Sequence, residues 1–176
     1  MSSTTQIASG VESSGKYLTF VLAGESYGIS ILGVREIIAV QPITPLPRMP
    51  AAVNGVINLR GKIIPVIDLR TSLSLHAAEF DRATCIIVLD VDLAAGATQI
   101  GCIVDAVREV SNIANDELQP PPTVGGAVDA DYIMALARPA EDDCVVTLLD
   151  IPHVLAQLFG DSLFDMGDPA AAETSL

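Results

Sequence analysis

The chain has 176 residues, half of them hydrophobic, and a formal charge of −13. That is ample apolar material for one ordinary domain or two small ones without disulfide staples. So negative a field excludes nucleic acid as a natural partner, because phosphate backbones are held chiefly by lysine and arginine.

The charge is unevenly placed. Residues 16–82 carry seven bases against five acids, whereas residues 83–176 carry two bases against sixteen acids. Two unlike surfaces facing two unlike partners would produce this division, and so would acids that merely keep an apolar protein in solution. The longest uninterrupted apolar run, at 132–137, is far too short to span a bilayer, and the first residues lack a basic and apolar leader. A soluble, cytoplasmic protein without membrane insertion is expected. Cys85, Cys102 and Cys144 are odd in number, far apart and set in apolar runs, which reads as reduced core residues.

In chain order, residues 1–15 are rich in Ser, Thr and Gly and form an N-terminal tail. Strands are predicted at 17–22, 26–29 and 36–40, with a helical turn at 30–33 between the last two. The proline-dense stretch PITPLPRMP, 42–50, reads as a rigid connector. It leads into VNGVINLRGKIIPVIDLR, 53–70, which is the clearest element: two apolar arms across a tight polar turn at Asn58, Leu59, Arg60 and Gly61. Gly61 suits a position with positive φ, Arg60 is held out at the tip, and consecutive apolar residues suggest arms buried on both faces. Pro65 cannot donate to a ladder, so its arm belongs at a sheet edge or a bulge. A second turn should follow Asp68. Further strands are expected at 85–89, 99–104, 132–137 and 144–149, then an amphipathic helix over 152–159 with Pro152 in its first turn. Residues 161–176 are an acidic C-terminal tail. Many short strands with Gly and Pro between them indicate an all-β chain with few short helices.

An internal repeat organises these elements. YGISILGVREI at 27–37 aligns without gaps on IGCIVDAVREV at 100–110, and a proline-rich loop and an apolar hairpin follow each copy. The hairpins end alike, in VIDL at 66–69 and LLDI at 148–151. Two related barrels of similar size are expected, within a domain covering 16–160 and with a nominal boundary near residue 82 that strands are free to cross.

Candidates for catalysis are sparse. His76 and His153 stand alone without metal-ligand neighbours. No glycine elbow surrounds Ser72 or Ser74, and Gly61-Lys62 leads into a strand rather than the helix a phosphate loop requires. The acids at 141–143 suit a solvated turn. No catalytic residue, metal or cofactor is assigned, and the chain is not expected to be an enzyme. Glu36 and Arg60 remain as charged groups fixed in strand-like apolar surroundings, which suits recognition or bracing.

The succession YGISILGVREI, PLPRMP and NGVINLRGKIIPVIDLR closely resembles the CheW family of bacterial chemotaxis coupling proteins, and the likeness continues through TCIIVLD, GCIVDAV, QPPP and VTLLD. The resemblance implies two interlocked five-stranded SH3-like β-barrels. It also implies a non-enzymatic adaptor joining the cytoplasmic tip of chemoreceptors to the regulatory part of the histidine kinase CheA, at receptor arrays on the inner face of the membrane. It places Ile31, Val34, Glu36 and Ile37 at a receptor-facing surface in an apolar groove between the barrels. Gly55, Asn58 and Arg60 match positions tied to signalling or shape, and Gly101 and Val107 are matched to kinase contact. A coupler of a twitching or other chemosensory pathway would share every one of these motifs. The competing class, a small-molecule-binding or hydrolytic β-barrel, requires a convergent polar cluster that the histidines and serines do not supply.

Overall fold

A computed structural model describes residues 15–76, 78–93, 96–121, 132–139 and 144–159. The tails and the acids at 141–143 lie outside the described residues. Eleven strands and two helices follow one another as β1 Gly15–Leu22, β2 Glu25–Ser30, β3 Val34–Ala39, β4 Val53–Leu59, β5 Lys62–Asp68, α1 Leu69–Ser72, β6 Cys85–Leu93, β7 Gly96–Val104, β8 Ala106–Ile113, β9 Leu118–Gln119, β10 Ile133–Ala137, β11 Val146–Leu149 and α2 Ile151–Phe159. Short 3-10 turns fill Ile31–Gly33 and Asn115–Glu117.

The strands form two sheets, one in the order β8-β1-β2-β11-β10-β9 and the other β3-β6-β7-β5-β4. The chain is thus all-β with few short helices, as its composition indicates. The second sheet has the expected five strands, and the first gains a sixth in the two-residue β9. The nominal division near residue 82 falls between β5 and β6, which belong to one sheet. The second sheet is an uninterrupted stretch of chain from β3 to β7, and the first is made from what precedes and follows it. Each sheet contains one parallel pair, β5 with β7 and β11 with β2, which interlocks a late hairpin with an earlier strand.

The repeated sequences are the two crossovers between the sheets. The first copy is β2, the 3-10 turn and β3, passing from the first sheet to the second; the second copy is β7 and β8, passing back. Their glycines explain why the motif recurs. Gly28 lies opposite Leu148 in one parallel pair and Gly101 opposite Val66 in the other. A Cβ on Gly28 would come within 2.9 Å of Leu148 Cδ2, and one on Gly101 within 2.8 Å of Ile86 Cγ2. The aspartates that end the hairpins are equivalent too. Asp68 N donates to Ala52 O and Asp150 N to Tyr132 O, each at 2.7 Å, and each aspartate then opens a helix. Asp68 Oδ1 accepts from Arg70 N at 2.9 Å, and Asp150 Oδ1 from His153 N at 3.3 Å.

One core joins the sheets: Leu18, Phe20, Leu22 and Ile29 from the first pack with Ile67, Ile87, Leu89 and Val104 from the second. Ile57, Ile64, Val66, Ile86, Val88 and Ile103 fill the interior of the second sheet, and Tyr17, Ile113, Ala135, Ala137, Val146 and Leu148 that of the first.

Four local expectations change. Strand β5 lies inside its sheet, not at an edge; Pro65 is tolerated because pairing with β7 begins only at Val66, after the missing N–H. The arms of the hairpin alternate between buried and half-buried residues, and Ile63 is 61% exposed, so burial on both faces is confined to the end of β5. Strand β8 has no counterpart among the predicted strands, since it pairs only with β1 at the end of its sheet and three consecutive residues, Arg108, Glu109 and Val110, are exposed. Of the cysteines, Cys102 is fully buried and Cys85 half-buried, but Cys144 is exposed because it lies ahead of β11 and outside the interior of the sheet.

Candidate functional site

Strands β4 and β5 run as a ladder down to Leu59 opposite Lys62, so the loop between them is only Arg60 and Gly61. Both adopt positive φ, 53° and 84°. That is the tight turn whose twist matches antiparallel strands. Asn58 Oδ1 accepts the Gly61 N–H at 2.8 Å and fixes the turn from one side, while the Asn58 carbonyl accepts from Gln41 Nε2 at 3.2 Å. Arginine in the left-handed region is held at a cost of about 1 kcal/mol. The turn at Ala23 and Gly24, with φ of 52° and 81°, has the same backbone without an arginine. The loop geometry therefore does not call for Arg60.

Arg60 is instead aimed at β3. Its Nη1 donates to Glu36 Oε2 at 3.0 Å and its Nη2 to Glu36 Oε1 at 2.6 Å, with side chains 65% and 28% exposed respectively. A guanidinium matches a carboxylate bidentately, so the pair fixes orientation as well as distance. It ties the tip of the β4–β5 hairpin to the opposite end of the sheet order, since β3 and β4 are its terminal strands.

Gly55 holds the next part of this surface. Its φ is 143°, and a Cβ there would stand 2.1 Å from the Thr44 carbonyl oxygen and 2.9 Å from Pro45 Cα. The proline connector is thereby laid on β4, where Thr44 and Val56 exchange two backbone hydrogen bonds of 2.9 Å.

The other residues matched by resemblance separate into groups. Ile31 and Val34 are half-buried and pack against the shared core. Ile37 is 43% exposed, and the alternation of β3 sends it to the face opposite Glu36. Arg35, on the same face as Ile37, lies 3.4 Å from Asp90. Gly101 is buried in β7 and has packing to do rather than surface to offer, whereas Val107 is half-buried on β8.

The shortest ion pair among the described residues was not singled out by sequence reasoning. Arg70, in α1, donates from Nε to Asp105 Oδ1 at 2.8 Å and from Nη2 to Asp105 Oδ2 at 2.5 Å, and from Nη1 to the His76 carbonyl at 2.7 Å. Asp105 stands in the crossover from β7 to β8 and also accepts the Ala23 N–H at 2.8 Å. The hydrogen bond from Arg70 holds the Asp105 carboxyl below its usual range, and the same bond raises the guanidinium. Burial pushes Asp68 the other way, upward, against the backbone N–H groups that favour its charge. A signal for the Arg70–Asp105 pair was present: in the aligned copies both members change together, to Pro152 and Leu32.

No group here is arranged for catalysis. His153 Nδ1 lies 3.2 Å from Asp150 in the first turn of α2, and among the described residues no three His, Cys, Asp or Glu side chains gather as metal ligands would. The described residues here form a surface on which Glu36 and Arg60 make an oriented ion pair.

Residues 16–159 match the CheW-like domain family. The chain belongs to that family. Among the CheW-like relatives it resembles are the chemotaxis protein CheW of Treponema pallidum, 36% identical over 76% of this chain and 78% of the relative, and that of Klebsiella aerogenes, 33% identical over 80% and 81%. The solved structure of the scaffolding protein CheW from Thermoanaerobacter tengcongensis superimposes with a TM-score of 0.69 at 35% identity, covering 78% of this chain and 90% of that one. This CheW-like chain is accordingly a scaffold of chemotaxis signalling and not an enzyme.

Proposed function

We propose that this CheW-like protein joins the cytoplasmic tip of chemoreceptors to the histidine kinase CheA, working in the cytoplasm at receptor arrays to which its partners bring it. The observation that carries the receptor side is the Glu36–Arg60 pair. An exposed pair of this kind contributes only about 0–1 kcal/mol to folding, so an oriented one held by a strained turn is better explained by recognition than by stability. Ile31 and Val34 then set the level of β3 on the core, Ile37 supplies apolar contact at its edge, and Gly55 and Asn58 hold the tip in register. The kinase contact belongs on the other sheet, near Val107 on β8. The protein performs no chemistry of its own; it changes kinase output by favouring one assembled arrangement over another.

The test is reconstitution of receptor-containing membranes, CheA and the protein, read by co-sedimentation and by kinase activity. Glu36→Lys should keep the folded amide spectrum, lose receptor-dependent kinase control and leave CheA binding in place. Unchanged control in a folded Glu36→Lys variant would remove Glu36 from the receptor surface.

A further inference from the structure

The two sheets meet across a shared apolar core, and apolar packing resists separation without setting an angle. An angle is set where the chain returns from the second sheet to the first. Asp105 alone separates β7 from β8, and four hydrogen bonds meet on it. Its N–H donates to Val21 O at 3.0 Å and its Oδ2 accepts the Ala23 N–H at 2.8 Å, which ties it to the β1–β2 hairpin of the first sheet. Its carboxylate also accepts from Arg70 Nε at 2.8 Å and Nη2 at 2.5 Å, which ties it to the helix that follows β5 of the second sheet. Arg70 is held in turn by the His76 carbonyl at 2.7 Å, and the Arg70 and Asp105 side chains are only 17% and 28% exposed. The first crossover is made differently. Three residues, Ile31–Gly33, link β2 to β3, and Leu32, which the repeat aligns with Asp105, is 92% exposed.

We propose that Arg70 is a positioning residue: through Asp105 it fixes the setting of the first sheet on the second, and so couples the partner contact at the β4–β5 tip to the one on β8. The path is short. Arg60 and Arg70 lie beyond opposite ends of β5, and Ala106, next after Asp105, opens β8. Strands β8 and β1 move together, because Thr19 Oγ1 donates to the Glu109 carbonyl at 2.9 Å and accepts the Glu109 N–H at 3.3 Å. A planar guanidinium that grips a carboxylate through two bonds resists rotation as well as separation, which the point charge of a lysine does not. A change at the hairpin is therefore carried along β5 to Arg70 and across Asp105 into the first sheet. The coupling rests on the placement of receptor and kinase proposed above; the setting of the sheets does not.

The test compares the parent chain with Arg70→Gln, Arg70→Lys and Ile57→Val, the last a truncation inside the second sheet and away from Arg70. Residual dipolar couplings of the backbone amides of the isotope-labelled full chain are fitted sheet by sheet. One alignment frame should fit both sheets in the parent and in Ile57→Val. In each Arg70 variant the sheets should keep their separate fits while a common frame fails. In the reconstituted assay both Arg70 variants should bind CheA and receptor membranes separately as the parent does, yet receptor-dependent kinase control should fall at least about fivefold. A common frame in folded Arg70→Gln overturns the role of Arg70 in setting the sheets; if that variant does not fold, Arg70→Lys decides by the same reading. A changed frame with control intact, loss of either separate binding, or an equal loss of control in Ile57→Val overturns the coupling. Intact control in Glu36→Lys removes the receptor assignment and the coupling with it, while the frame, measured without partners, still decides the setting of the sheets.

Discussion

Replacing Arg60 by glycine separates its two possible roles, because the structure sets the size of each effect. The substitution relieves a left-handed arginine, φ 53°, worth about 1 kcal/mol, and offsets part of that gain by making the unfolded chain more flexible, about 0.5–1 kcal/mol. It also removes the Glu36 pair, whose 65% and 28% exposure puts it in the range of about 0–1 kcal/mol. The net change in stability is within about 1 kcal/mol of zero, a shift in Tm of no more than about 4 °C for a chain of this length. Receptor-dependent kinase control, in contrast, should be lost, because Glu36 is left without its orienting partner. Thermal unfolding by circular dichroism and a reconstituted kinase assay on the same preparation give both numbers. A fall in Tm of about 10 °C would mean that the pair braces the fold. An unchanged Tm together with unchanged kinase control would mean that Arg60 has no part in the surface.

Gly55→Ala should behave in the opposite way: the Cβ meets backbone at 2.1 Å, the two Thr44–Val56 hydrogen bonds cannot both survive, and the strained φ adds to the loss. Together these are worth about 3–4 kcal/mol, or roughly 10 °C in Tm, and a loss under about 1 kcal/mol in urea unfolding would refute the close approach of the proline connector. Asp105→Asn should be about 2 kcal/mol less stable than the parent at pH 7. Because the Asp105 carboxyl lies below its usual range in the folded protein, the stability it supplies is full above the unfolded-state value near pH 4 and is lost as pH falls through the folded value. The gap between parent and variant should therefore close as pH falls through that folded value; Asp68, raised chiefly by burial, is present in both proteins and enters the gap only through its weaker coupling to Asp105. A gap that does not narrow as pH falls from 7 would contradict the ion pair. A thiol reagent should modify exposed Cys144 in the native protein and reach Cys102, buried and pushed up to about 12, only on unfolding; reaction of Cys102 at the native rate of Cys144 would contradict the packing of β7.

Much of this architecture is written in local patterns. Alternation and turn chemistry located nine of the strands, and Asp68 and Pro152 marked the two helix starts, because caps and first-turn prolines act locally. The partition of strands between sheets was not local. Which strand sits beside β5 depends on Val66 meeting Gly101, a pairing that composition cannot announce. For the same reason β8 escaped prediction: a strand with one neighbour needs few apolar residues, and VREVSN looks like a loop unless the duplicate is followed to its end. The Glu36–Arg60 pair was legible as two candidates but not as a bidentate contact, which depends on a strand twenty-four residues away. The Arg70–Asp105 pair was legible only as a paired difference between the repeats.

Those differences distinguish framework from function. What both copies keep is what an interlocked sheet pair needs: a glycine where a side chain from a neighbouring strand fills the space of a Cβ, and an aspartate that closes a hairpin and opens a helix. The glutamate is also kept, yet Glu109, the counterpart of Glu36, receives only the Ser111 hydroxyl at 3.5 Å, a contact too long to orient it. If the glutamate on the crossover strand served the fold, both copies would hold it in the same way. Only the first is gripped by an arginine, from a turn whose backbone has a second example with alanine in that place. Neither the turn nor the repeat therefore requires the arginine, which is what the proposed recognition role of this surface predicts.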